Sequence, residues 1–296
     1  VIPPLAAGGI DADPAKPILS VRGLHKRFGT LVTAENIELD VFPFQLHSFI
    51  GPNGAGKTTF FNMLSGILAP NAGSISFAGR DITRMPMHRR ALLGIGRSFQ
   101  ILSVFPNLTV FENIRIAAQA RQGSFRRCLT DAHDDAGQNL LVWSILQAVG
   151  LEDHAAESCA SLPHGARRLL EIAITLATEA KILLLDEPLA GLAEADRQVV
   201  GALIRKLADT HAVLLIEHDI DRVLALSDRI TVLHQGRLIA DGKPAEVAAN
   251  PEVIAAYLGV AGERDASGFA AAAVGQDAPA LLRVEGLAVG YGGSTV

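Results

Sequence analysis

Hydrophobic positions recur in two patterns between residues 18 and 259. Short apolar runs, such as 45–50 and 182–187, alternate with stretches such as 167–173, in which apolar positions return every third or fourth residue. Short apolar runs are typical of buried strands, and the second spacing is typical of amphipathic helices. Strands that alternate with helices predict an α/β domain around a largely parallel sheet.

Two segments lack both patterns. Residues 1–17 carry four prolines among alanine and glycine, and residues 260–280 are mainly alanine, glycine and scattered polar residues. Compositions of this kind are typical of linkers. We therefore expect one working domain, 18–259, between two linkers.

The last stretch of the chain, 281–296, resembles residues 18–33. Tyr291 falls opposite Phe28 in this alignment, and five other positions are identical. The identical pairs are Leu19 with Leu282, Val21 with Val284, Gly23 with Gly286, Leu24 with Leu287, and Gly29 with Gly292. Matches in register indicate an internal repeat. We expect 281–296 to be the truncated start of a second copy of the domain.

Composition narrows the choice of partners. The chain has a net charge of −5, so no broad basic field exists and no nucleic acid is expected. No run approaches the roughly 18 consecutive apolar residues that span a bilayer, so association with a membrane is expected only through a partner. The two cysteines, Cys128 and Cys159, are too far apart in the sequence for a CxxC metal or redox pair.

Residues 51–58 fit the phosphate-loop pattern GxxxxGK[ST], between a predicted strand and a predicted helix. Glycines let such a loop turn its backbone N–H groups toward a phosphate at a helix N-terminus. Lys57 is expected to reach the β- and γ-phosphates, and Thr58 to bind Mg²⁺. The residues expected to bind the nucleotide are Asn53, Gly54, Ala55, Gly56, Lys57, Thr58 and Thr59.

The apolar run 182–187 ends in two carboxylates, Asp186 and Glu187. Ligands of open α/β sheets bind beyond the carboxyl ends of the strands, so these groups are expected beside the phosphates. Asp186 is expected to hold Mg²⁺, and Glu187 to orient and deprotonate the attacking water. The short basic run 88–90 is predicted instead to be a solvated helix end.

Three further residues lie before, between and after these two motifs. They are Phe28, Gln100 in Arg-Ser-Phe-Gln, and His218 in Ile-Glu-His-Asp. Together with the phosphate loop and the carboxylate strand, they resemble the ATPase subunits of ATP-binding cassette (ABC) transporters over residues 18–259. The resemblance implies a P-loop NTPase with an antiparallel β subdomain, a RecA-like core and a helical subdomain at about 101–165.

The resemblance also implies a role for each residue. Phe28 would stack on adenine, Gln100 would contact the metal and water, and His218 would contact the γ-phosphate. The implied cofactors are ATP and Mg²⁺. The implied metal ligands are Thr58, Gln100 and Asp186. The implied catalytic residues are Glu187, His218, Gln100 and Lys57.

The signature motif of that family, usually LSGGQ, precedes the carboxylate strand. The matching residues here are Leu162, Pro163, His164, Gly165 and Ala166. Only Leu162 and Gly165 agree with the motif. Pro163 replaces a serine whose hydroxyl would meet the γ-phosphate of the partner cassette's nucleotide, and proline also lacks a backbone N–H. We therefore expect the half-site built on this segment to be the weaker one.

Four segments, 97–100, 186–192, 235–242 and 250–259, resemble more closely the ATPases of branched-chain amino acid importers, a subgroup that includes urea and amide importers. In those systems two related ATPases pair beneath two permeases, and a periplasmic solute-binding protein delivers the solute. The resemblance implies an ATP-hydrolysing subunit on the cytoplasmic face of the inner membrane, held there by permease subunits. A second ABC ATPase domain is expected downstream of the chain.

Three alternatives account for less of the sequence. A ribosomal ATPase with two cassettes would join them by a long charged helix, whereas the predicted linker is short and rich in alanine. A DNA-repair cassette would carry long coiled coils, and no heptad run occurs. A cassette that binds ATP without hydrolysing it agrees with the altered signature motif, but Glu187 and His218 are intact.

Overall fold

A computed structural model describes residues 12–98, 104–122, 135–257, 290–291 and 294–295. The chain divides into two compact units, Val1–Tyr257 and Leu258–Val296. The predicted linker 260–280 lies outside the described residues.

The first unit alternates strands and helices along most of its length. Its strands are β1 (Leu19–Phe28), β2 (Leu31–Val41), β3 (Leu46–Ile50), β4 (Ala72–Phe77), β5 (Arg80–Asp81), β6 (Ile95–Arg97), β7 (Ile182–Asp186), β8 (Ala212–Ile216), β9 (Arg229–His234) and β10 (Arg237–Gly242). Its helices are α1 (Lys57–Ser65), α2 (Met87–Leu93), α3 (Val110–Gln122), α4 (Ala136–Val149), α5 (His164–Ala177), α6 (Glu194–Leu207), α7 (Ile220–Leu226) and α8 (Pro244–Ala248). Short 3-10 turns at Glu152–His154 and Cys159–Ser161 lie between α4 and α5, and residues 251–257 are also helical.

The strands form two sheets of different character. An antiparallel sheet has the strand order β2-β1-β4-β5. A six-stranded sheet has the order β10-β9-β3-β8-β7-β6, in which the strands from β9 to β6 pair in parallel and β10 joins β9 as an antiparallel hairpin. The predicted α/β class, with an antiparallel β subdomain beside a largely parallel core, is confirmed.

The six-stranded sheet is covered on both faces, which explains its continuous apolar runs. On β7, Leu183 and Leu185 belong to a core cluster formed with α3, α4, α5 and α6. Ile182 and Leu184 belong to a second cluster formed with β1, β2 and α1. Successive strand residues point to opposite faces, so every position of such a run can be apolar. The strand ends then meet at one edge, where the sequence changes to polar residues.

The described part of the predicted helical subdomain, about 101–165, contains α3 and α4. The Asp135 side chain caps α4 by accepting the N–H of Gln138. Phe111 of α3 and Trp143 of α4 pack with their ring centroids 5.6 Å apart. Both helices also contact α5. Because α5 leads into β7, this region is joined directly to the carboxylate strand.

Arg90 departs from the prediction of a solvated helix end, because it is only 1% exposed. Its guanidinium donates hydrogen bonds to four backbone carbonyls, those of Met63, Leu64, Thr83 and Met85. Met63 and Leu64 lie in the last turn of α1, where carbonyls have no partner within the helix. Five fixed N–H donors make arginine suited to this cap. Burial lowers the pKa of Arg90 to about 10.

His47 of β3 is a second buried polar residue that supports the sheet. Its Nε2 lies 2.7 Å from the Thr231 hydroxyl, and that hydroxyl donates to Asp241. Since the single hydroxyl proton goes to Asp241, Nε2 of His47 must carry the donated hydrogen. Burial lowers the pKa of His47 to about 4, partly opposed by the charge of Asp241. The imidazole is therefore neutral at physiological pH.

The second unit contains one described hairpin, in which β11 (Gly290–Tyr291) pairs with β12 (Ser294–Thr295). It falls within 281–296, the stretch expected to start a second domain, and the other residues of that stretch lie outside the described ones. Among the residues that the structure describes, no helix combines the length and apolarity needed to cross a bilayer.

Candidate functional site

The predicted phosphate loop lies between the carboxyl end of β3 and the start of α1. Gly56 has a φ of 108°, and a Cβ at this position would lie 2.1 Å from the Thr33 carbonyl oxygen. Only glycine fits this backbone. Asn53, Gly54 and Thr58 are exposed, Thr59 is half-buried and Ala55 is buried. The loop is thus an open turn at a helix N-terminus, an arrangement that favours anions.

The Lys57 side chain folds back across this loop. Its Nζ donates hydrogen bonds to the carbonyls of Gly51 at 2.6 Å and Pro52 at 3.0 Å. Burial lowers the pKa of Lys57, while the charges of Glu187 and Asp186 act in the opposite direction. Lys57 therefore lies within electrostatic range of both carboxylates.

Asp186 ends β7 with a side chain that is 2% exposed. Burial raises the pKa of Asp186, and the charge of Arg97 opposes that rise. Oδ2 accepts a hydrogen bond from Arg97 Nη2 at 3.3 Å. Oδ1 is buried and has no hydrogen-bond partner. An unpartnered buried carboxylate oxygen is costly, so this atom is suited to contact a cation or an external donor.

Arg97 is a functional residue to which the sequence analysis gave no role. Its Nη1 donates to Asn62 Oδ1 at 2.7 Å and to Ser65 Oγ at 2.8 Å, both on α1. One guanidinium thus joins β6, the phosphate-loop helix and the carboxylate of Asp186. The sequence signal that could have identified Arg97 is a charged residue at the end of a buried strand. Gln100, which follows soon after β6, lies outside the described residues.

Glu187 leaves the sheet instead of extending the strand. The predicted strand 182–187 ends one residue early, because Glu187 has a left-handed φ of 50°. Its N–H donates to the Ile216 carbonyl at 3.0 Å, and its carbonyl accepts the N–H of Ala190 at 3.2 Å. A left-handed glutamate is uncommon and indicates a backbone held by its surroundings. This turn places the half-buried Glu187 at the carboxyl edge of the sheet.

His218 comes from the neighbouring strand end. β8 runs parallel to β7, with Ile216 opposite Asp186, so Glu187 and His218 both follow strands that end at the same edge of the sheet. The His218 side chain is 60% exposed and can therefore meet a ligand. Its Nδ1 lies 3.9 Å from Oε2 of the buried Glu217.

Phe28 ends β1 with 47% of its surface exposed. Lys26 Nζ lies 5.1 Å from the centre of its ring, which is within the range of a cation–π contact. The exposed aromatic surface can accept a stacked group. Adenine stacking by Phe28 stays a prediction.

The signature segment, 162–166, keeps its place in the fold. Leu162 is buried, and α5 starts at His164, earlier than the predicted helical stretch 167–173. A Cβ on Gly165 would lie 2.5 Å from Asp196 Cγ, so any larger residue here would displace the Asp196 side chain of α6.

The signature segment is well packed but offers few side-chain hydrogen-bond donors. Pro163 is the N-cap residue of α5 and makes no side-chain cap hydrogen bond. Pro163 and His164 are exposed, and Ala166 is half-buried. Neither Pro163 nor Ala166 has a side chain that can donate a hydrogen bond. The segment therefore presents the histidine and backbone N–H groups, without a serine hydroxyl.

Sequence comparisons identify related proteins. Residues 34–190 match the family described as ABC transporter, and residues 237–263 match the family described as branched-chain amino acid ATP-binding cassette transporter. The chain is 40% identical to the high-affinity branched-chain amino acid transport ATP-binding protein LivG of Escherichia coli K12, over 83% of this chain and 100% of LivG. It is 41% identical to the corresponding protein BraF of Pseudomonas aeruginosa, with the same coverage.

Solved structures of similar fold agree. A crystal structure of an ATP-binding cassette of an ABC transporter in its ADP conformation superimposes with a TM-score of 0.74 and 28% identity, covering 83% of this chain and 100% of that one. A nucleotide-free cassette gives a TM-score of 0.72 at 27% identity, covering 81% and 98%. The chain therefore belongs to the ATP-binding cassette family of transporter ATPases.

Proposed function

We propose that this chain binds Mg²⁺·ATP and hydrolyses it to drive an importer of branched-chain amino acids. The reaction would occur at the catalytic edge, defined as Lys57, Asp186, Glu187 and His218. The observation that carries the proposal is that the buried Lys57 folds back across an open phosphate loop, while Asp186 holds a buried oxygen without a hydrogen-bond partner at the carboxyl end of a strand of the same sheet. The solute is supported by the similarity to LivG and BraF, which are branched-chain amino acid transport ATP-binding proteins, and by the family match at 237–263.

Each residue has a distinct part in the proposed reaction. Glu187 orients a water molecule and accepts a proton from it as the water oxygen attacks the γ-phosphorus. The bond from the γ-phosphorus to the bridging oxygen breaks, and ADP and inorganic phosphate are formed. Lys57 and His218 stabilise the negative charge that develops on the γ-phosphate oxygens. Phe28 holds the adenine by stacking.

The residues of the site fit Mg²⁺. Asp186 offers a buried Oδ1 without a hydrogen-bond partner, and Thr58 offers an exposed hydroxyl. Mg²⁺ prefers oxygen ligands from one or two protein groups together with phosphate and water. Gln100 is the third proposed ligand. When bound, Mg²⁺ would offset the negative charge of the phosphates.

A permease subunit is proposed to dock at an apolar groove beside α2 and α3. The groove has a volume of about 290 Å³ and is lined by His88, Ala91, Leu92, Ala117, Ala120 and Thr178. Leu92 is 53% exposed, and apolar exposure of this kind is typical of surfaces that bind partners. Docking there would hold the chain at the cytoplasmic face of the inner membrane. A second ATPase cassette and a periplasmic solute-binding protein complete the proposed importer.

Nucleotide titration tests this proposal. Lys57→Ala removes a charged donor to the phosphates, so the affinity for Mg²⁺·ATP should fall by roughly 10- to 100-fold. Lys206→Ala, which removes an exposed lysine from the last turn of α6, serves as the matched control and should bind normally. Equal affinity of Lys57→Ala and the wild-type chain would contradict the proposed site.

A further inference from the structure

Glu217 is a buried carboxylate that lies between two elements of the catalytic edge. It is 2% exposed. Its Oε1 accepts the backbone N–H of Leu189 at 2.9 Å, and its Oε2 lies 3.9 Å from Nδ1 of His218. Leu189 belongs to the turn that begins at Glu187. The Glu217 side chain therefore lies between the turn that begins at Glu187 and the imidazole of His218.

Burial of the Glu217 carboxylate costs folding free energy. Burial raises the pKa of Glu217, opposed by the N–H of Leu189 and by neighbouring His218. The negative charge of nearby Glu187 raises it further. A buried acid next to another acid adds little to stability, and an apolar side chain of similar size would avoid the cost of desolvation. Stability alone therefore does not explain this buried carboxylate.

We propose that Glu217 is a positioning residue that holds Glu187 and His218 in their relative places for attack on the γ-phosphate. Oε1 fixes the left-handed turn through Leu189, and Oε2 faces the imidazole of His218. In this role Glu217 acts through Leu189 and His218 and takes no part in the bond changes at the γ-phosphate. The inference rests on the proposed function, because it assigns Glu187 and His218 to the reaction.

Two substitutions separate the two oxygens. Glu217→Ala removes both contacts, and misplacement of reacting groups should lower kcat by roughly 10- to 100-fold. Glu217→Gln keeps an oxygen that can accept the Leu189 N–H and loses only the charge facing His218, so kcat should fall by a smaller factor, about 3- to 5-fold. The KM for ATP should change little in either variant, because Lys57 and the phosphate loop are untouched. Steady-state hydrolysis by the full chain, paired with a complete second cassette, measures both constants.

A buried glutamate outside the edge provides the matched control. Glu171 of α5 is 7% exposed, and burial raises its pKa as it does for Glu217. Its carboxylate pairs with Arg168 at 2.7 Å. Glu171→Gln should lower the melting temperature and leave kcat within about 2-fold of the wild type. Loss of kcat in proportion to loss of melting temperature at both glutamates would overturn the positioning role.

A double-mutant cycle keeps the proposal testable if Glu217→Ala does not fold. In a His218→Ala background, Glu217→Gln should cost little further kcat, because its partner is already absent. Additive losses would overturn the link to His218. Failure of the wild-type chain to hydrolyse ATP when paired with a complete second cassette would overturn the proposed function itself. Hydrolysis by the wild type, with undiminished kcat in the Glu217→Ala and Glu217→Gln variants, would overturn only the role of Glu217.

Discussion

The catalytic edge and the signature segment lie in the same compact unit but differ in what the fold holds in place. At the edge, buried side chains orient charged groups: Arg97 contacts Asp186, and Glu217 contacts the turn that begins at Glu187. The chemical groups and their supports are present together.

The signature segment keeps its packing contacts but lacks side-chain hydrogen-bond donors at two positions. Leu162 is buried, and Gly165 lies next to the Asp196 side chain of α6. Pro163 and Ala166 nevertheless supply no side-chain donor. The comparison teaches that a segment can keep its position in the fold although its side chains lack hydrogen-bond donors. We propose that this cassette contributes catalytic groups to its own nucleotide and a poor signature segment to its partner's nucleotide.

The largest expected effect is an asymmetry between two cassettes. In the complete pair, Glu187→Gln should lower ATP hydrolysis by about 10²–10³-fold, because the better site loses its base. The same change in the second cassette should leave much of the hydrolysis, since that site already faces the altered signature segment. Steady-state ATPase assays on both single variants make the comparison. Equal losses would show that Pro163 and Ala166 do not handicap their site.

The next effect concerns the buried support of the edge. Arg97→Met leaves the carboxylate of Asp186 buried without its cation, and should lower the free energy of unfolding by about 3 kcal/mol in Mg²⁺-free buffer. Arg22→Met is the matched control, because Arg22 and its partner Asp40 are 50% and 34% exposed and the pair contributes at most about 1 kcal/mol. Urea unfolding measures both. Losses of the same size would mean that Asp186 does not depend on Arg97.

Acid should lower the free energy of unfolding through His47, which lies in β3, the strand that leads to the phosphate loop. The pKa of His47 is lowered from 6.5 to about 4 in the folded chain, so the unfolded chain binds the proton more readily. Stability is therefore complete above pH 6.5 and falls as the pH drops toward 4, by about 2–3 kcal/mol. Urea unfolding from pH 7.5 to pH 4.5 tests the slope. His47→Gln should remove this part of it, and an unchanged slope would contradict the assignment.

The smallest expected effect is at the exposed aromatic residue. If Phe28 stacks on adenine, Phe28→Ala should weaken ATP binding by about 1–2 kcal/mol, by analogy with bases stacked on aromatic side chains. Phe28→Tyr keeps the ring face and should bind ATP almost normally. Titration of both variants decides the point. Normal binding by Phe28→Ala would place the adenine contact elsewhere.

Much of the fold could be predicted because its signals are local. The apolar run of β7 and the phosphate loop are contiguous in the sequence, and parallel strands bring their carboxyl ends to one edge. That is why Lys57 and Asp186 could be expected near each other before the structure was known. Their chemical roles, like those of Glu187 and His218, stay predictions.

The residues that support the edge could not be found in this way, because their partners are distant in sequence. Arg90 caps α1 through carbonyls that a sequence pattern does not reveal. Arg97 meets Asp186 only because β6 lies beside β7. Glu217 meets Leu189 through the parallel register of β7 and β8. The left-handed turn at Glu187 depends on the same register and has no glycine to announce it.

Repair of the signature segment tests the central claim most directly. The double substitution Pro163→Ser and Ala166→Gln restores two donors and leaves the packing of Leu162 and Gly165 in place. Any pair formed by two copies of this chain would then carry the repaired segment over both nucleotides. Steady-state ATP hydrolysis by the repaired chain should exceed that of the wild type by about 10-fold or more, and Glu187→Gln should remove the gain. An unchanged rate in a folded, ATP-binding repaired chain would contradict the account.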